Sequence, residues 1–416
     1  MPKISPLVRP FVGLRPTTNL ASEVAAPPYD VVSLSEARAL AIGHPWSFLH
    51  VSRAEIDLPE GTDPNDDAVY VKAAENFTHM NSKGVLIRDT KPAYYVYRLT
   101  MGDHVQTGIA GAGSITAYDE NRIRRHELTR PDKEDDRVRQ IEALNAQTGP
   151  VMVIHKYDTR IAQTIGRVVK RDAACQVIAD NGIEHTLWIG DGQDEIEALN
   201  TAFDEMEAIY IADGHHRSAS ASRVAAKRRA EKANTGPEPM HEPFLIVSFP
   251  DNEVQILDYN RAVRDLNGLS KDDFLKRLND VFSVTLLGSA VKPDQAREFS
   301  MYLDGHWYCL KLEVPPPPDD PVAALDISAL TKYLLTPVLG IGDPRLDERI
   351  HFVGGIRGMK ELQYKVDSGA MAVAFAIYPT SLSDLMAVAD AGQVMPPKST
   401  WFEPKLADGL ISLVLD

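Results

Sequence analysis

The chain has 416 residues, 44% of them hydrophobic and 25% charged, with a formal net charge of −15. That balance belongs to a folded globular protein, and the length predicts two domains rather than one core. The acidity excludes broad, sequence-independent DNA binding, which needs a basic face. Nucleic acid is therefore not an expected partner, although local basic pockets remain open.

Cys175 and Cys309 lie far apart with no partner motif, which suits a reducing compartment and excludes a cysteine-based zinc site. No apolar run approaches the roughly 20 residues that cross a bilayer, and Met1–Pro10 lacks the apolar centre of a signal peptide. A cytoplasmic protein with no membrane partner is expected.

In chain order, Leu7–Leu14 reads as a strand interrupted by Pro10 and Gly13. Pro27-Pro28 forces Val24–Asp30 out of regular structure. Ser33-Leu-Ser-Glu36 has the spacing of a capping box and opens a helix. Ser47–Val51 is read as a strand. Asp66–Ser82 is read as a helix that turns Val69, Val71, Ala74 and Phe77 inward. Pro92–Met101 and Val105–Ile115 form a predicted hairpin around Gly102-Asp103, with Gly108, Gly111 and Gly113 making its second strand irregular.

Pro131 fits the first position of a helix running to about Gln147. Asp132, Glu134, Asp135 and Asp136 fill its opening turn, where the dipole favours carboxylates. Strands are expected at Val151–Ile154 and Glu184–Trp188, and helices at Ile161–Val169 and Asp194–Glu205. Thr235-Gly-Pro-Glu-Pro239 is a predicted surface loop. Phe244–Phe249 and Val254–Asp258 have hairpin spacing. Helices follow at Ser270–Val281, Ser328–Leu339, Met359–Val366 and Ser381–Ala391. The strands expected among them are Ser283–Leu287, Trp307–Leu312, Ile350–Val353 and Ala372–Ile377.

The most informative stretch is Ile209-Tyr-Ile-Ala-Asp-Gly-His-His-Arg217. An apolar run, an Asp-Gly turn and an alanine- and serine-rich segment predict strand, turn and helix start. A helix start offers unpaired amides and a positive dipole end, which suit a phosphate. Gly214 would allow close approach, and His215, His216 and Arg217 could add donors. The plainer reading is an ordinary turn with solvated side chains.

Other candidates carry their own alternatives. Lys133 and Arg137 lie four apart and could clamp a phosphate or simply pair with nearby acids. Glu127, after His126 and before a helix, could serve as base or metal ligand. The acidic helix start could carry magnesium or be merely well capped. Gly354-Gly-Ile-Arg-Gly358 lacks the dinucleotide and P-loop spacings and is read as a tight turn. Lys398-Ser-Thr400 sits on a proline-rich loop that could face a ligand.

Four stretches resemble a bacterial family known as domain of unknown function 1015. They are Ala25-Ala-Pro-Pro-Tyr-Asp-Val-Val32, His126-Glu-Leu-Thr-Arg-Pro-Asp-Lys-Glu-Asp-Asp-Arg137, Ala212-Asp-Gly-His-His-Arg217 and Met395-Pro-Pro-Lys-Ser-Thr400. The Asp-Gly-His-His-Arg stretch is also similar to the nucleotide-phosphate motif of the ParB/sulfiredoxin-like group, which includes free serine kinases. That second resemblance implies phosphates at Gly214, His215, His216 and Arg217, with magnesium nearby. A sulfiredoxin needs a cysteine beside this motif, and none is present.

The expected fold is a mixed α/β (α+β) two-domain protein, its N-terminal part ParB/sulfiredoxin-like. The expected domains are 1–256, bearing the motifs, and 257–416, whose terminal loop would return to a shared cleft. The first functional hypothesis is a kinase moving a phosphate from ATP or ADP, with Mg2+, to free L-serine. Glu127, Asp213 and His216 would be catalytic, with Glu127 or Asp213 on the metal. Gly214, His215, Arg217, Lys133, Arg137 and Lys398 would bind the nucleotide. The second hypothesis is a ParB-like nucleotide switch acting through a protein partner. A homodimer is compatible with either.

Overall fold

The computed structural model describes residues 6–232 and 242–415. The loop expected at Thr235–Pro239 lies outside those residues. The protein is mixed α+β, and its two compact units are the chain up to Val254 together with the stretch from Pro404, and Gln255–Glu403.

The first unit is built on a nine-stranded sheet. Its main order is Ile123–Arg124, Ile209–Asp213, Val151–His155, Pro243–Pro250, His104–Ser114, Tyr94–Met101, Glu184–Gly190, Cys175–Ile178. Pro243–Pro250 runs parallel to Val151–His155, and Ile209–Asp213 runs parallel to Ile123–Arg124; the remaining neighbours are antiparallel. Apolar side chains such as Val96, Ile109, Val153, Ile211 and Ile246 are fully buried against the flanking helices. Such burial is the main favourable term in holding the layers together.

The expected hairpin is present, Tyr94–Met101 against His104–Ser114. Its glycines leave the second strand regular, against the expected irregularity, and allow other strands to approach it. A Cβ at Gly108 would lie 2.6 Å from the Ser248 carbonyl oxygen, and one at Gly111 would lie 2.5 Å from Val8 Cγ1.

A smaller sheet in the same unit has the order Leu86–Arg88, Gly13–Pro16, Ser412–Val414, Ala146–Gln147. The strand near the carboxy terminus therefore sits inside a sheet, paired on both sides. Helix Asp67–Ser82 is capped by the Asp66 side chain and packs over this region. It buries Val69, Tyr70, Ala73, Phe77 and Met80, whereas Val71, expected inward, is exposed. The capping box at Ser33 and Glu36 forms as its spacing dictates.

Three other expectations are corrected. Ser47–Val51 is not a strand; Leu49–Ser52 is a helical turn whose residues bury onto Phe48 and its neighbours. Phe244–Phe249 and Val254–Asp258 do not form a hairpin: Gln255–Leu257 pairs with Trp401–Glu403 in the second unit. Ser328–Leu339 is broken into Asp326–Leu330 and a wider π-type turn at Thr331–Leu335.

The second unit carries a six-stranded antiparallel sheet: Phe282–Leu287, His306–Leu312, Glu298–Leu303, Val373–Ile377, Tyr259–Val263, Ile350–Gly354. Glu298–Leu303 has no counterpart among the expected strands. Gly354 and Gly355, at the end of this last strand, serve packing. A Cβ on Gly354 would meet the Trp401 ring at 2.9 Å, and one on Gly355 would meet Asp258 Oδ1 at 2.5 Å.

Candidate functional site

Ile209–Asp213 is a buried strand whose register against Val151–His155 slips between Ile211 and Asp213. A bulge of this kind re-aims the side chain that follows it. Gly214 then adopts φ +97°, a left-handed conformation that glycine alone takes at little cost. Helix His215–Lys232 begins at once, with the Ser218 amide already donating to the Gly214 carbonyl. By helix geometry the amides before Ser218 have no intrahelical acceptor. The anticipated strand, turn and helix start are thus present.

Asp213 is held by two cations on one oxygen. Its Oδ2 lies 3.3 Å from Arg217 Nη2 and 3.5 Å from Lys405 Nζ. Burial alone would raise this carboxyl, but Lys405 and then Arg217 hold it well below the usual carboxylate range. Arg217 is half-buried, donates Nη1 to the Pro150 carbonyl, and stays firmly protonated because Asp213 and Asp30 attract it.

His215 is almost fully buried, and its Nε2 accepts from the His126 amide at 3.5 Å. The proton is therefore assigned to Nδ1, which faces Glu127 Oε2 at 3.7 Å. Burial, reinforced by His126, lowers the His215 pKa far enough to keep the ring neutral. The His126 ring stands edge-on to it at 4.5 Å, and burial pushes its pKa down to about 4. Neither ring nitrogen of His126 makes a well-formed hydrogen bond among the described residues. Glu127, 40% exposed, is the more open carboxylate of the pair it forms with Asp213.

Helix Pro131–Leu144 carries Pro131 in its first turn, as expected, and ends at Asn145 in a left-handed conformation. The Arg130 amide just before it donates to His216 Nε2 at 3.1 Å. Ser220 donates to the Glu134 carbonyl, so the helix is tied to the histidine helix at two points. Arg137 lies 3.8 Å over the Tyr29 ring and donates to Asp136. Lys133, its expected companion, is exposed, and its side chain makes no hydrogen bond or ion pair among the described residues, its amide donating to the Arg130 carbonyl.

Asp408 completes the inner wall. It is bridged through its backbone to Ala26. A Cβ at Gly149 would lie 3.2 Å from Asp408 Oδ1 and 3.3 Å from Arg217 Cδ. Burial and then Asp30 raise the Asp408 carboxyl against the pull of Arg217 and Arg137, leaving it at about 7. Burial likewise pushes the Tyr29 hydroxyl up to about 12.

Three of the four motif stretches therefore meet at the Gly214 turn, joined by Gly149-Pro150 and the segment Lys405–Asp408. Lys405, Asp408, Tyr29 and Gly149 were not singled out as site residues from sequence. The available signal was two charges, Lys405 and Asp408, inside an otherwise apolar run near the carboxy terminus. Lys398, from the fourth stretch, belongs to the second unit, where its ammonium lies 5.8 Å from the Tyr259 ring centroid. Buried Arg261 donates to the carbonyls of Pro397 and Lys398 and so fixes that loop. Among the described residues, no three His, Cys, Asp or Glu side chains group so as to hold a metal ion, and no helix is long and apolar enough to cross a membrane.

This geometry defines a mixed α+β protein with a cationic, carboxylate-flanked turn at a helix start. The chain belongs to the family described as protein of unknown function (DUF1015), whose model matches residues 8–328. No curated protein matches the chain. Among solved structures it is similar to a free serine kinase in complex with AMP, at 10% identity and a TM-score of 0.34, covering 73% of this chain and 92% of that one. It is similar to SbnI with a C-terminal truncation from Staphylococcus aureus, at 12% identity and 0.36, covering 74% and 87%. A conserved hypothetical protein from Pyrococcus furiosus is matched at 11% identity and 0.32, covering 73% and 95%. At such distance these likenesses carry no function across.

Proposed function

We propose that this chain is a small-molecule kinase that moves a phosphate from ATP or ADP to a free hydroxyl amino acid, L-serine, giving O-phosphoserine. The observation that carries the reading is the Gly214 turn. It gathers helix-start amides and the half-buried cation Arg217 beside the partly exposed Glu127. Phosphoryl transfer depends mainly on positioning and on neutralising charge, and these are the parts such a turn supplies.

The amides after Gly214, with Arg217 and Arg137, receive the phosphates. His216 keeps the neighbouring helix start in place through the Arg130 amide. Neutral His215 directs its Nδ1 proton toward Glu127, orienting that carboxylate. Glu127 takes the proton from the serine hydroxyl as the new oxygen–phosphorus bond forms. The bond between the phosphoryl group and the departing ADP, or AMP, breaks in the same step. Asp213, ionised and shared by two cations, is poorly matched to a base and serves to hold those cations.

Magnesium binds through one or two carboxylates plus phosphate oxygens. Glu127 fits such a role, whereas Asp213 is already engaged by Arg217 and Lys405. When bound, the ion would neutralise charge along the phosphate chain.

The test is incubation of purified protein with L-serine, magnesium and either ATP or ADP, followed by phosphorus NMR. O-Phosphoserine is the expected product. No product with either nucleotide contradicts the substrate assignment. A nucleotide-dependent change of oligomeric state without product would favour a regulatory switch instead.

A further inference from the structure

Lys405 belongs to no motif used so far, yet it reaches the Gly214 turn from the other end of the chain. Its backbone neighbourhood is firmly pinned. The Ala407 amide donates to the Tyr97 hydroxyl, and Asp408 exchanges two hydrogen bonds with Ala26. Gly409, at φ +87°, packs so closely on Phe48 that a Cβ would meet that side chain at 2.7 Å. Ser412–Val414 then inserts between two strands.

A lysine placed on such a backbone has little freedom left to lose when a ligand arrives. Its side chain is 17% exposed, while Asp213 beside it is 32% exposed, so the pair stands at the rim and not in the core. Arg217 and Lys405 share one oxygen of Asp213. A phosphate arriving at the turn would therefore meet two cations whose positions are already set. Preorganised charge of this kind is worth more than the same charge on a mobile side chain.

We infer that Lys405 is a phosphate-binding residue of this site, its ammonium contacting the nucleotide's phosphate chain alongside Arg217. The inference rests on the nucleotide reading of the Gly214 turn. No covalent step is involved: the ammonium donates hydrogen bonds to non-bridging oxygens and keeps its protons.

The test is calorimetric titration of the full chain with ADP, pyrophosphate and adenosine. Lys405→Met should weaken ADP and pyrophosphate roughly 10- to 100-fold, the worth of one charge-assisted hydrogen bond. Adenosine, which has no phosphate, should bind the variant as it binds the wild type. Lys405→Arg should recover most of the ADP affinity, and Lys405→Gln gives the same reading should the methionine variant not fold. ADP binding unchanged in the variants overturns the inference and leaves the nucleotide reading standing. Parallel loss of ADP and adenosine makes Lys405 a structural residue and also overturns it. Wild-type protein that binds neither ADP nor pyrophosphate overturns both together.

Discussion

Glu127 and Asp213 are both carboxylates at one turn, and their surroundings give them different work. Asp213 is locked between Arg217 and Lys405 and stays ionised. Glu127 is more exposed and faces a neutral imidazole. Glu127→Gln should therefore lower the rate of serine phosphorylation by about 10²- to 10⁴-fold while ADP affinity measured without magnesium changes little, as single-turnover kinetics and calorimetry would read. Asp408 makes a prediction of opposite kind. Its carboxyl is pushed up to about 7, so the fold prefers it protonated. That preference is fully present below the unfolded value near 3.9 and is lost as pH rises through about 7. Asp408→Asn cannot ionise, so its thermal midpoint should gain on the wild type as pH rises from 4 to 7 and then level off. A gap independent of pH would contradict the assignment.

At the scale of elements, the turn is as informative as its side chains. Gly214 combines a left-handed backbone with a Cβ position 3.1 Å from Arg217 Cζ. Gly214→Ala should cost about 1–3 kcal/mol of stability and displace Arg217, weakening phosphate binding. Denaturant titration and calorimetry check the two parts separately. The Asp-Gly-His-His-Arg element was legible in the sequence because three local signals agreed: an apolar run, a glycine turn and a helix-forming segment. The acidic helix was legible through Pro131 for the same reason. Leu49–Ser52 was misread because Phe48, Leu49 and Val51 are apolar in both a strand and a buried helical turn, and periodicity cannot separate so short a run. The pairing of Gln255–Leu257 with Trp401–Glu403 was hidden because close spacing in sequence imitates a hairpin. Lys405 and Asp408 were not found because they reach the turn only through the pairing of the carboxy-terminal strand.

The whole molecule carries a further signature in its buried histidines. Burial pushes His126, His155 and His185 down to about 4. In the unfolded chain each takes a proton near 6.5, so the unfolded state binds more protons between those values. The share of stability that these three histidines supply should be complete above about pH 6.5 and fall steadily toward pH 4, opposite in sign to that of Asp408, as urea titrations of the wild type and histidine variants across that range would show. His185→Gln, which can keep a hydrogen bond to Tyr97, should flatten part of that slope; an unchanged slope would assign the acid lability elsewhere.

The proposed activity requires that the turn after Tyr210 receive phosphate. Titrating the full chain with ADP, beside Arg217→Met, tests it most directly. The wild type should bind one ADP per chain, and the variant should show no detectable binding at the same concentrations. Equal binding by both proteins, or none by the wild type, would contradict it.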